Sequence, residues 1–117
     1  MSRTGFYNKR VKREPYSDAN VIAQLRATNA LLKFCYEHER TEGDSVNSIQ
    51  ACAKALESKD IKGAVSHFLN VPLGGNGCFN DWWPPVVYEH ETDDYVWAVF
   101  EALTSTWSHM MSLSVEK

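Results

Sequence analysis

The sequence predicts an all-α fold, a small bundle of four helices whose third member is short. Three observations predict it. Apolar residues recur at three- and four-residue steps through four separate stretches, which is the period of one helix face. Each stretch has a place to start: Ser17 or Asp18 and Asp60 as helix caps for the first and third, Asp44 or Ser45 for the second, and the neighbourhood of Thr92 for the last. The chain of 117 residues has the length of one domain, and its 44% hydrophobic and 12% aromatic content can fill a core.

Residues 1–16 precede the first helix as a basic arm, expected to be extended or partly mobile. Arg3, Lys9, Arg10, Lys12 and Arg13 face only Glu14 in the first fifteen residues, a net charge of +4. Pro15 disfavours helix just before it. The single α-helical domain expected over residues 17–117 is acidic. From Tyr16 onward seven basic residues meet fourteen acidic ones, a net charge of −7. No stretch approaches the roughly 20 apolar residues that cross a bilayer, and no secretory signal is expected. Cys35, Cys52 and Cys78 form no CxxC pair, which fits a reducing cytoplasm better than a disulfide framework.

The first helix is expected from about Asp18 to His38, burying Val21, Ile22, Leu25, Thr28, Leu32, Cys35 and Tyr36. Gly43 supplies the turn into a second helix that buries Val46, Ile49, Cys52, Ala53 and Leu56. Asp60 caps a short third helix with Ile61, Ala64, Val65, Phe68 and Leu69 on its apolar side. The last helix starts near Thr92, where Asp93 and Asp94 meet the positive end of the helix dipole. Its inner stripe is Val96, Val99, Phe100, Leu103, Trp107 and Met110 or Met111, and Trp97 falls at the margin of that stripe. The predicted core is Leu25, Leu32, Ile49, Leu56, Val65, Phe68, Phe79, Val99, Phe100, Leu103 and Trp107.

Between the third and fourth helices lies a segment of about twenty residues, Val71 to Glu91, long for a compact domain and of a kind that is often functional. Gly74, Gly75 and Gly77 permit left-handed backbone, and Asn80 organises the turn that follows. These four residues are expected to shape the loop. Trp82 and Trp83 add apolar area, Pro84 and Pro85 stiffen the exit, and Val86 to Glu89 can run extended.

The stretch from about Leu31 to Asp81 resembles an uncharacterised family of small bacterial α-helical proteins. Its signature runs Gly-Gly-x-Gly-Ser-Phe-Asn-Asp, after an Asp-x-x-Gly step. Here the step is Asp60-Ile61-Lys62-Gly63, and the signature is Gly74-Gly75-Asn76-Gly77-Cys78-Phe79-Asn80-Asp81, with Cys78 where the family has Ser. The resemblance covers about half of the chain and implies a helical fold without implying an activity.

Chemistry is harder to place. The glycine loop has neither the Lys nor the Ser/Thr of a phosphate-binding loop, and it is expected to follow a helix rather than a strand. Cys78 is the best candidate nucleophile, with His90 or His109 as base, but nothing local joins them; a small apolar packing role is expected. His38 and His90 are flanked by glutamates and lack metal-ligand spacing, as does His67. No enzyme activity, metal or cofactor is therefore expected. Acidic and aromatic residues interleave instead. Asp81, Trp82, Trp83, Tyr88, Glu89, Glu91, Asp93, Asp94 and Trp97 are the candidate partner-binding residues, with Tyr95 and Glu101 nearby.

An acidic surface with aromatic anchors suits a basic protein partner. The expected function is an inhibitor-like protein, specifically a cytoplasmic immunity protein that neutralises a basic bacterial toxin domain. Two alternatives stay open. One is a nucleic-acid accessory role for the basic arm, with Phe6, Tyr7 and Tyr16 for stacking, which the −7 body opposes. The other is a Cys78-dependent enzyme.

Overall fold

A computed structural model describes residues 18–74, 78–79 and 88–115. These form four helices and no strand: α1 (Asp18–Glu37), α2 (Asp44–Glu57), α3 (Ile61–Leu69) and α4 (Asp93–Ser112). The all-α architecture with a short third helix is as the sequence predicts. The basic arm of residues 1–16 lies outside the described residues.

Helix limits follow from local chemistry. The Thr92 hydroxyl accepts from Tyr95 N and starts α4, while Asp93 and Asp94 occupy its first turn. The Asp60 carboxylate accepts from Gly63 N at 3.1 Å and starts α3. A Cβ on Gly63 would sit 2.3 Å from Asp60 Oδ2, so the bare α-carbon makes room for the cap. The Asp-x-x-Gly step is thus a capping unit. Gly43, at φ 114°, precedes α2 in a backbone conformation that L side chains rarely adopt.

α1 and α2 end the same way. Arg40 N reaches Cys35 O at 2.7 Å and Glu39 N reaches Tyr36 O at 3.2 Å. At the end of α2, Asp60 N reaches Ala55 O at 2.8 Å and Lys59 N reaches Leu56 O at 3.0 Å. Both are Schellman closures. The left-handed position that usually holds glycine is filled by Glu39 (φ 65°) and Lys59 (φ 60°).

α1 packs against both α2 and α4, and α2 packs against α3. α1 and α4 run antiparallel, which four contacts record in order. Gln24 Nε2 donates to Ser114 Oγ (2.7 Å), Trp107 Nε1 donates to Thr28 Oγ1 (3.0 Å), Phe34 stacks near Phe100 (5.8 Å), and His38 meets Glu91 (3.1 Å). The core runs between these contacts. Trp107, Phe79, Phe100, Leu31, Ile49, Leu56 and Met111 are fully enclosed. Phe68 stands edge-on to Trp107 at 5.0 Å. Burying a side chain of this size is worth about 1.5–3 kcal/mol.

The predicted core is buried or partly buried throughout, with Leu25, Val65, Val99 and Leu103 at its edge. Three expected inner residues point outward instead: Ile22 is 53% exposed, Tyr36 41% and Leu69 62%. The inner face of α1 is rotated from the expected one. It carries Val21, Gln24, Thr28, Leu31, Leu32, Phe34, Cys35 and, just past its end, His38. Gln24 occupies that face, its Nε2 donating to Met110 O (3.0 Å) and to Ser114 Oγ (2.7 Å), while its buried Oε1 has no hydrogen-bond partner among the described residues. A polar residue with partners ready on α4 can occupy the stripe that apolar Ile22 vacates.

Candidate functional site

The candidate site lies where α1 ends and α4 begins. The Schellman turn after α1 swings His38 inward, stacked on Phe34 with ring centroids 4.1 Å apart. Its Nδ1 lies 2.9 Å from Phe34 O, and its Nε2 lies 3.2 and 3.1 Å from the two oxygens of Glu91. A carbonyl and a carboxylate both accept, so each ring nitrogen of His38 faces an acceptor. The His38 and Glu91 side chains are only 4% and 7% exposed.

Glu91 closes a turn of its own. Its backbone N–H donates to Tyr88 O at 2.8 Å, and its Oε1 accepts from Tyr88 N at 2.9 Å. The Tyr88 N–H does most to hold the Glu91 carboxyl below its ordinary pKa; burial opposes that, and His38 and His90 reinforce it. The Tyr88 hydroxyl donates to Glu37 O, tying the turn to the last residue of α1. Both ring nitrogens of His38 are thus engaged within the protein, one by Phe34 O and the other by Glu91.

Beside this pair, Phe79 anchors the loop. Its amide donates to Pro72 O (2.9 Å), and its ring meets Phe100 at 5.4 Å. The Arg40 guanidinium lies 4.3 Å above its ring and Nη1 donates to Phe79 O at 3.3 Å. Gly74 begins the loop at φ 144°, in the conformation expected of it. Gly75, Gly77, Asn80, Asp81, Trp82 and Trp83 lie outside the described residues, as do Val86 and Val87.

The partner-binding candidates that are described divide into two groups. Tyr88, Glu89, Asp93, Asp94 and Trp97 are exposed, together with Tyr95 and Glu101. Glu91 is not part of that outer surface, because its carboxylate is turned onto His38 and the Tyr88 amide. On α4, residues three and four apart share a face, so Trp97 stands between Asp93 and Asp94 one turn before it and Glu101 one turn after. Trp97 is 39% exposed and Tyr95 56%. His38 was the residue that sequence reasoning missed. Its partner is 53 positions away, and no local pattern announces a buried pair at that distance.

The cysteines are dispersed. Burial pushes the thiols of Cys35 and Cys52 up to about 11, so both stay protonated at neutral pH. Cys78 is half-buried, and no cysteine forms a disulfide among the described residues. Among those residues no three His, Cys, Asp or Glu side chains converge as a metal ion would need. Nor is any described helix long and apolar enough to cross a membrane.

The described residues therefore define a four-helix arrangement with a buried His–Glu pair and an acidic, aromatic outer row on α4. No family model, curated protein sequence or solved structure matches the chain.

Proposed function

We propose that this protein works by binding another protein, as an inhibitor of a basic partner. The observation that carries the reading is Trp97, held partly exposed on a rigid helix and flanked by Asp93, Asp94 and Glu101. A large aromatic ring on a pre-ordered helix is the usual anchor of a protein interface, and acids around it draw in a cationic partner. Tyr88, Glu89 and Tyr95 extend the same surface.

The specific form proposed is immunity: a cytoplasmic protein that neutralises a bacterial toxin domain. Toxins that act on nucleic acid are commonly basic, which this acidic face complements. Protonated, unpaired thiols at Cys35 and Cys52 suit a reducing compartment. Resemblance to the small bacterial helical family, through Asp60, Gly63 and the Gly74–Asp81 octapeptide, is part of the same proposal. No catalytic role is assigned to any residue.

The test is retention of lysate proteins on the immobilised chain, with and without nuclease treatment, followed by mass spectrometry. A basic protein should be retained by the wild type and released by salt. Trp97→Ala should weaken the purified pair by about 2 kcal/mol or more, roughly thirtyfold. Retention untouched by both Trp97→Ala and Glu101→Lys would overturn the reading. Nucleic acid held only while residues 1–15 are present would favour the accessory role instead.

A further inference from the structure

We propose that the pocket at the C-terminal end of α1 receives an arginine side chain of the partner, an assignment that rests on the protein-binding reading above. The pocket has a volume of about 310 Å³ and is lined by Glu37, His38, Tyr88, His90 and Glu91. That is the low end of ligand-pocket sizes, suited to a single side chain rather than to a large cofactor.

Its walls are already fixed. Glu91 is held by His38 and by the Tyr88 amide, and the Tyr88 hydroxyl is bonded to Glu37 O. A guest therefore orders little that is not ordered beforehand, which favours binding.

The charge of the pocket selects a cation. Among the described residues, no Lys or Arg lines the pocket. The last turn of α1 carries no basic side chain, and the negative end of its dipole meets the His38 ring at Phe34 O. Two carboxylates, Glu37 and Glu91, line the pocket beside His38 and His90, and Glu39 and Glu89 are exposed next to them in sequence.

Shape then separates arginine from lysine. The Tyr88 and His90 rings lie within 7° of parallel, with centroids 6.2 Å apart, and both residues are exposed. Flat ring faces stack against a planar guanidinium while its in-plane N–H groups reach carboxylates. A compact ammonium has no such plane.

The test is a titration of the full-length chain with N-acetyl-arginine amide, N-acetyl-lysine amide and the neutral isostere N-acetyl-citrulline amide. Binding is read from the backbone amide NMR shifts of Tyr88, His90 and Glu91. The arginine probe should give saturable shifts there, with citrulline weaker by about tenfold or more, since charge-assisted bonds are lost. Lysine should fall between. Glu37→Gln, which keeps the carbonyl that holds Tyr88, should weaken the arginine probe without unfolding the turn. Equal binding of citrulline and arginine would overturn the assignment, as would shifts confined to the α4 row around Trp97. Because these probes need no partner, the pocket can fail while retention through Trp97 stands, and the reverse.

Discussion

His38 Nε2 and the Glu91 carboxylate lie 3.1 Å apart across 53 residues of sequence, and this pair fastens the turn before α4 to the end of α1. It joins the two helices at the end opposite the Gln24–Ser114 bond, so α1 and α4 are pinned at both ends.

Acid should undo that fastening before it undoes the core. The Glu91 carboxyl has a folded pKa below its ordinary value, first because of the Tyr88 N–H. A group lowered in this way adds stability above its unfolded pKa of about 4.3, and the gain is lost as pH falls through the lower folded value. Melting temperatures of the wild type and Glu91→Gln should therefore differ most at neutral pH. The gap should narrow below about pH 4. A gap that persists unchanged into strong acid would count against the pair.

Glycine at the left-handed position that ends α1 should stabilise the chain. Glu39 sits at φ 65°, where a residue bearing a Cβ loses about 1–2 kcal/mol. Glycine relieves this but gives the unfolded chain more freedom, worth about 0.4–1 kcal/mol in the other direction. Glu39→Gly is expected to gain about 0.5–1 kcal/mol in urea unfolding. Glu39→Ala, which keeps the Cβ, should gain nothing comparable.

These two turns also mark what the sequence could and could not disclose. The starts of α3 and α4 were legible because Asp60 and Thr92 cap locally, within three residues of the amides they accept from. α1 ends at Glu37, one residue before the expected His38, since Glu39 in a glycine position gives no stop signal. The inner faces of α2 and α4 were legible because their buried residues are mostly apolar. That of α1 was not, because Gln24 and His38 are buried by partners on α4 and in the turn before it. On the surface, Trp97 was placed correctly at the stripe margin, whereas Glu91 reads in sequence like its acidic neighbours and differs only through a long-range contact.

Asp60 and Gly63 should be energetically coupled. Alanine normally improves a helix position over glycine by about 1 kcal/mol, and losing an Asp cap costs about 0.5–2 kcal/mol. At position 63 the new Cβ would displace the Asp60 carboxylate, so Gly63→Ala alone should show little gain or a small loss. In an Asp60→Ala background the clash is gone, and the same substitution should stabilise by about 1 kcal/mol. Urea unfolding of the four proteins in the cycle measures the coupling. Additive effects would mean that the cap does not need the bare α-carbon.

Two buried threonines should respond to Thr→Val with opposite signs. Thr28 Oγ1 accepts from the Trp107 indole at 3.0 Å and donates to Gln24 O at 2.7 Å. Thr28→Val keeps the shape but strands a fully buried N–H, at a cost of about 1–3 kcal/mol. Thr104, 4% exposed on α4, has a hydroxyl oxygen with no hydrogen-bond partner among the described residues. Its hydroxyl was desolvated without return, so Thr104→Val should be neutral or stabilising by about 1 kcal/mol. Chemical unfolding of both variants gives the signs, and indole fluorescence should change only in Thr28→Val, where the Trp107 N–H loses its acceptor. Equal losses in both would mean that volume, not hydrogen bonding, sets the α1–α4 contact.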